Sequence, residues 1–269
     1  MKWSYILFLP AVVSLLWSLA IVVLKRHLTR AHLILSLMLL LEAFAITVLG
    51  VFFRGRAGSL FIYDFVFECI AMFCGPMYYV GVCSLTEPRG ATLRQRHSFF
   101  IPILFVFGLT YGAFWLGPRR YEEMCYALRE VGATWIDGDN AWNFMLFWDH
   151  WLFPVLLLAV CTWFIVASSR RLNIFRRRFN SFYADGNELK KVNIRDINVL
   201  TWCFLPLGVI VVLLIDLRPL YYKYWLIACS VLLTVIQFLT GRFVFRLDYD
   251  ARFLAEYVRN PNSTTLNAE

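Results

Sequence analysis

The chain has 269 residues, 60% of them hydrophobic and only 16% charged, with a net charge of +8. A soluble domain is nearer half apolar and about a quarter charged, so a soluble enzyme or binding module is excluded. The apolar residues bunch into runs of about 20, the length that crosses a hydrocarbon core about 30 Å thick. The excess positive charge lies in short segments between those runs, where it reads as a topology signal before a nucleic-acid footprint.

Seven membrane helices are predicted in chain order: Tyr5–Leu24, Leu33–Phe53, Leu60–Leu85, Phe99–Leu116, Phe144–Ser168, Ile197–Ile215 and Tyr222–Val244. No run alternates with period two, so a membrane barrel is excluded. The first run is too long for a signal-peptide core and is followed by Lys25-Arg26-His27 instead of a small-residue cleavage site.

The second run carries Glu42 near its middle, and the third carries Asp64 and Glu68 four residues apart, hence on one helical face. A carboxylate at mid-span costs roughly 2.5–3.5 kcal/mol on insertion scales. These three residues therefore read either as a ligand or ion pocket opening outward, or as partners of Arg54, Arg56 and nearby hydroxyls. Between the fourth and fifth runs, Gly117–Asn143 is the longest outer segment. It carries Glu122, Glu123, Glu130, Asp137 and Asp139 against Arg119, Arg120 and Arg129. Asp149 and His150 follow, flanked by Trp148 and Trp151. They read first as interfacial residues reaching water, and otherwise as an outer recognition cluster.

After the fifth run, Arg170, Arg171, Arg176, Arg177, Arg178, Lys190 and Lys191 crowd one segment, with Leu172, Ile174, Phe175, Phe179 and Phe182 interleaved. This reads as a positive-inside anchor. An amphipathic helix on anionic lipid headgroups, at roughly 1 kcal/mol per basic residue, is the sharper alternative. Residues 1–245 form the predicted membrane domain. Residues 246–269 form a short amphipathic helix and tail, where Phe253 and Tyr257 belong to an apolar stripe that docks on the protein's own inner segments or on a partner.

The segments after the first, third and fifth runs, with Arg242 and the tail, hold 18 of the 26 Lys and Arg; the other segments, with Lys223, hold 8. The richer side is cytoplasmic, so the N-terminus is predicted outside and the C-terminus inside. Trp3, Trp115, Trp135, Trp142, Trp148, Trp151 and Trp225 fall at or beyond the outer ends of runs, as an interfacial belt does. The fold class is therefore an all-α, polytopic seven-helix membrane bundle.

Catalytic and cofactor signatures do not occur. There is no His-Glu-x-x-His, no Gly-x-Ser-x-Gly and no mid-membrane lysine in the last run. Six of the seven cysteines lie in apolar runs, where they behave as small hydrophobes; Cys125 alone falls in an outer segment. No catalytic residue, metal site or cofactor is assigned.

The third run reads Phe73-Cys74-Gly75-Pro76-Met77-Tyr78-Tyr79-Val80-Gly81-Val82-Cys83-Ser84-Leu85-Thr86. A basic stretch then leads to His97-Ser98-Phe99-Phe100-Ile101-Pro102. This resembles the seven-helix membrane half of the AraC-type transcriptional regulators of Bacteroidota. Those proteins carry a Gly-Pro-x-x-Tyr-x-Tyr-like segment, a short loop and a His-x-x-x-x-Pro opening to the next helix. Here the second tyrosine follows directly, and Val80 or Gly81 holds the later tyrosine position. The motif covers about 30 residues. In that family the last helix leads to a cytoplasmic helix-turn-helix domain, for which the sequence to Glu269 has no counterpart, so direct nucleic-acid binding is not expected.

The resemblance implies a sensor half in the bacterial inner membrane. The functional expectation is a signalling subunit that detects an extracytoplasmic ligand or partner and signals through its inner segments and tail to a separate effector protein. A transporter or channel subunit and a membrane enzyme on a lipid-linked substrate are the alternatives. The first needs a polar path across the bilayer and the second a cluster of carboxylates or histidines at one interface.

Overall fold

The computed structural model describes residues 5–6, 8–25, 28–54, 60–87, 97, 100–130, 134–182, 202 and 222–245. Among them are eight α-helices and no strand: α1 (Leu9–Leu24), α2 (Arg30–Arg54), α3 (Leu60–Thr86), α4 (Phe100–Leu116), α5 (Pro118–Glu130), α6 (Asn140–Phe147), α7 (Phe153–Phe182) and α8 (Tyr222–Phe245). One π turn, Trp148–Leu152, joins α6 to α7. Six of the seven apolar runs thus fall on helices; the sixth, Ile197–Ile215, lies outside the described residues except for Trp202.

Among the described residues, four helices are long and apolar enough to cross a membrane: α2, α3, α7 and α8. The count is five if α4 and α5, bent by 101° across Gly117, form one broken span. Helix α1 is apolar but shorter, at 16 residues. The surface fits lipid, with Phe114 87%, Val23 72%, Leu104 70% and Phe107 70% exposed, since water does not tolerate so wide an apolar face.

Helix α1 shows how such helices pack. Its buried face is Pro10, Ala11, Ser14, Ser18 and Ile21, mostly small, while Leu15, Leu16, Leu19 and Val23 point outward. Small residues let backbones approach where no hydrophobic force drives helices together in lipid. Against this face, Ser18 Oγ donates to Ser36 O at 3.0 Å, and Ser36 Oγ donates back to Ser18 O at 3.1 Å. Thr29 precedes α2 and its hydroxyl meets His32 Nδ1 at 2.7 Å, an N-terminal cap in which the side chains fold back on the first turn.

The contacts fix helix directions. Lys25 Nζ donates to Phe245 O at 2.7 Å and Ser230 Oγ donates to Ile6 O at 2.5 Å, so α1 and α8 run parallel. Gly50 lies against Phe8 and Ser36 against Ser18, so α2 is antiparallel to α1. Gly81 receives Leu35, and Phe67 clusters with Ala45 and Val48, so α3 returns alongside α2. Phe164 packs on Gly75 and Tyr79 while Arg171 reaches Glu87, so α7 is parallel to α3. Helices α1, α3, α7 and α8 therefore share one direction, and α2 opposes them.

Two cores result. One, at the Lys25 end, gathers Ile21, Leu35, Met38, Tyr78, Leu85, Leu172 and Val244. The other, toward the Gly50 end, gathers Ala45, Phe67, Phe105, Tyr121, Met124, Trp148, Phe153 and Phe164.

The segment read from sequence as an outer loop is more ordered than a loop. Helix α5 buries Tyr121 and Met124 completely and leaves Arg119, Arg120 and Glu123 exposed. Gly117, at φ 85°, and Gly138, at φ 81°, supply the left-handed turns that flank it. The basic stretch after the fifth run likewise continues α7 without a break to Phe182.

Candidate functional site

Where the two cores meet, α2, α3, α7 and α8 line a cavity of about 100 Å³. Each helix contributes one face. Helix α2 supplies Met38, Glu42, Ala45, Ile46 and Leu49, and α3 supplies Phe67, Ala71, Cys74, Gly75 and Tyr78. Both sets are spaced at successive turns, so helical periodicity alone aligns them. Helix α7 adds Leu157, Cys161, Phe164 and Ile165; α8 adds Leu233 and Gln237.

The wall is apolar except at a few points. Glu42 is 6% exposed and Gln237 0%. They stand within interaction range of each other, on α2 and α8. Glu42 Oε2 and both Nε2 and Oε1 of Gln237 have no hydrogen-bond partner among the described residues. No Lys, Arg or His is among the described residues that line the cavity. Buried polar atoms in an apolar interior are usually partnered, so beyond their approach to each other these two side chains leave hydrogen-bonding capacity unused at the middle of the bundle.

The third helix is adapted beside the cavity. Pro76 stands inside α3 and lacks the N–H that would bond to the carbonyl of Met72, which loosens the helix at that turn. A Cβ on Gly75 would meet Phe164 Cδ2 at 3.3 Å, so glycine there seats α7 closely. One turn further on, Arg171 of α7 donates from Nε to the Tyr79 hydroxyl at 3.1 Å and pairs through Nη1 with Glu87. One helix thus carries the cavity wall at Cys74, Gly75 and Tyr78, and the receptor of the Arg171 contact at Tyr79 and Glu87.

Of the residues singled out in the sequence, Glu42 lines the cavity. Glu68 is buried on α3 but is not among the lining residues. Asp64 lies on α3, with its side chain outside the described residues. Asp149 is buried within the π turn; the His150 side chain lies outside the described residues. Among the basic residues, Arg170 and Arg177 are exposed, Arg171 is turned to α3, and the side chains of Arg176 and Arg178 lie outside the described residues. Phe253 and Tyr257 also lie outside them. Gln237 escaped the sequence reading because it is uncharged; its available signal was a lone carboxamide midway along an apolar run.

Among the described residues, no group of three or more His, Cys, Asp or Glu could hold a metal ion. Cys69, Cys74, Cys83, Cys161 and Cys229 are free thiols. Compared with family models, with curated proteins and with solved structures, the chain matches none.

Proposed function

We propose that this chain is a seven-span sensor or signalling subunit of a bacterial inner membrane, with its N-terminus outside and its C-terminus in the cytoplasm, that binds a small ligand inside the bundle. The observation that carries the reading is the Glu42–Gln237 pair facing an apolar cavity with polar atoms unpartnered among the described residues. Ligand sites between helices have this composition, an apolar wall with a few convergent polar groups. Buried ionisable residues within membrane spans mark functional sites by default.

The seven-span count is supported by direction. Helices α7 and α8 point the same way, as two helices do when one further crossing lies between them, and Ile197–Ile215 has the length for it. The orientation is supported by the 18-to-8 distribution of Lys and Arg. The output route is supported by α3. Its Gly75–Tyr79 segment carries the resemblance to the AraC-type membrane half. The same segment joins the cavity to Arg171 at the Lys25 end. A ligand that shifts α3 would be read at α7 and passed to a separate cytoplasmic effector.

A photo-crosslinking residue at Tyr257, used in cells, tests this. A cytoplasmic protein trapped by the parent chain, with a yield that changes in Glu42→Leu, is the expected result. Capture of only the chain's own segments, or of the same protein at the same yield from both chains, overturns it.

A further inference from the structure

We propose that the Glu42–Gln237 cavity takes a lipophilic amine: an apolar body with a cationic nitrogen that donates to Glu42 Oε2 and Gln237 Oε1. The inference rests on the cavity reading above and adds the ligand's chemical class. Three observations converge on it. The side chain of Glu42 is within a cavity lined by no cation among the described residues, and a carboxyl in an apolar interior ionises only beside a counter-charge, which an amine that takes its proton supplies. Gln237, fully buried, offers a carbonyl oxygen without a partner among the described residues, which suits the second N–H of an ammonium group. The remaining wall, from Met38 to Phe164, is aliphatic, aromatic or thiol, and fits a hydrocarbon body. An anionic head would bring a buried charge that no cation among the described lining residues compensates. An alcohol offers the neutral carboxyl one hydrogen bond and no ion pair.

Cys74 and Cys161 line the same cavity from α3 and α7, so they report on occupancy. The test is the full chain with Cys69, Cys83, Cys125, Cys203 and Cys229 replaced by alanine, labelled by methyl methanethiosulfonate and read by mass spectrometry. Labelling is timed with n-hexylamine, n-hexanol or n-hexanoate present, three heads on one hydrocarbon body. Hexylamine at about ten times its dissociation constant is expected to slow labelling at both cysteines roughly tenfold. The alcohol and the carboxylate are expected to leave it within about twofold, and Glu42→Gln is expected to remove the amine's protection. Equal protection by all three compounds, or amine protection that persists in Glu42→Gln, overturns the proposal. Should the cysteine-depleted chain not fold, the thermal midpoint of the unaltered chain replaces the labelling readout. An upward shift with hexylamine alone, lost in Glu42→Gln, supports the proposal, and no shift overturns it. Failure here leaves the Glu42-dependent crosslink at Tyr257 to decide the sensor reading separately.

Discussion

Arg171 of α7 donates from Nε to the Tyr79 hydroxyl of α3 at 3.1 Å and reaches Glu87 with its other arm, so one guanidinium joins two residues about two helical turns apart. Its carbon also sits 5.6 Å from the centroid of the Tyr79 ring. Arginine suits this role because its planar fork presents several donors at fixed angles, which a lysine ammonium does not.

Replacing Arg171 by alanine should therefore cost more than removing either partner. Tyr79→Phe loses one hydrogen bond and should cost about 0.5–1.5 kcal/mol. Arg171→Ala loses both contacts and packing, and should cost about 1–3 kcal/mol. Arg171→Lys should fall between them. Detergent-denaturant titration of the purified protein gives the ranking; Arg171→Ala at or below Tyr79→Phe would show that the contact carries no stability.

Close helix approach makes a second prediction. A Cβ at Gly241 on α8 would strike Trp17 on α1, with the Trp17 Cβ itself only 2.5 Å away. That atom is attached to the backbone and cannot rotate aside, so the helices must separate. Gly241→Ala should cost about 1–3 kcal/mol. Gly75→Ala meets Phe164 at 3.3 Å and should cost under about 1.5 kcal/mol. Thermal midpoints of the two variants decide it; equal shifts would mean that α1 and α8 yield freely.

The helices themselves were legible because an apolar run of about 20 residues has one low-energy solution in lipid. Tyr5–Leu24, Leu33–Phe53, Leu60–Leu85 and Phe99–Leu116 each fall on a helix whose ends differ by a few residues. What escaped was tertiary. Helix α5 carries so polar a sequence that Gly117–Asn143 reads as a loop. Only the burial of Tyr121 and Met124 against the bundle makes its short amphipathic stripe worth forming. The π turn at Trp148–Leu152 has no signature in residue type. The carboxylates in the spans were legible as costly, but the face each presents was not. Glu42 meets Gln237 because α2 and α8 touch, and which helices touch is not written in hydropathy.

Glu42→Leu should separate stability from function. A buried carboxyl in a membrane span costs roughly 2.5–3.5 kcal/mol to insert, and an apolar replacement of similar size removes that cost. The variant is expected to unfold at the same or higher denaturant concentration than the parent, while losing the ligand response. Unfolding curves and crosslink yield measured on the same preparations check this. A variant that loses stability would place Glu42 in the bundle as a structural group, with Gln237 its partner.

The start of α6 is held by side chains that can be removed one at a time. Asp139 Oδ1 accepts from Trp142 N at 3.1 Å and caps the helix, and its other oxygen pairs with Arg120 of α5. Asn143 grips Ile136 at both ends, accepting from its N–H at 2.9 Å and donating to its carbonyl at 2.8 Å. Asp139→Ala removes the cap and the tie between α5 and α6, and should cost about 1–2 kcal/mol. Asp139→Asn keeps a capping oxygen while dropping the ion pair, and should cost well under about 1 kcal/mol, because Arg120 is half exposed and the pair is screened. Hydrogen exchange localises the effect: the amides of Trp142 and Asn143 should exchange faster in Asp139→Ala and near the parental rate in Asp139→Asn. Equal acceleration in both would assign the stability to the Arg120 pair instead of the cap, and α5 would then be held to α6 mainly by charge.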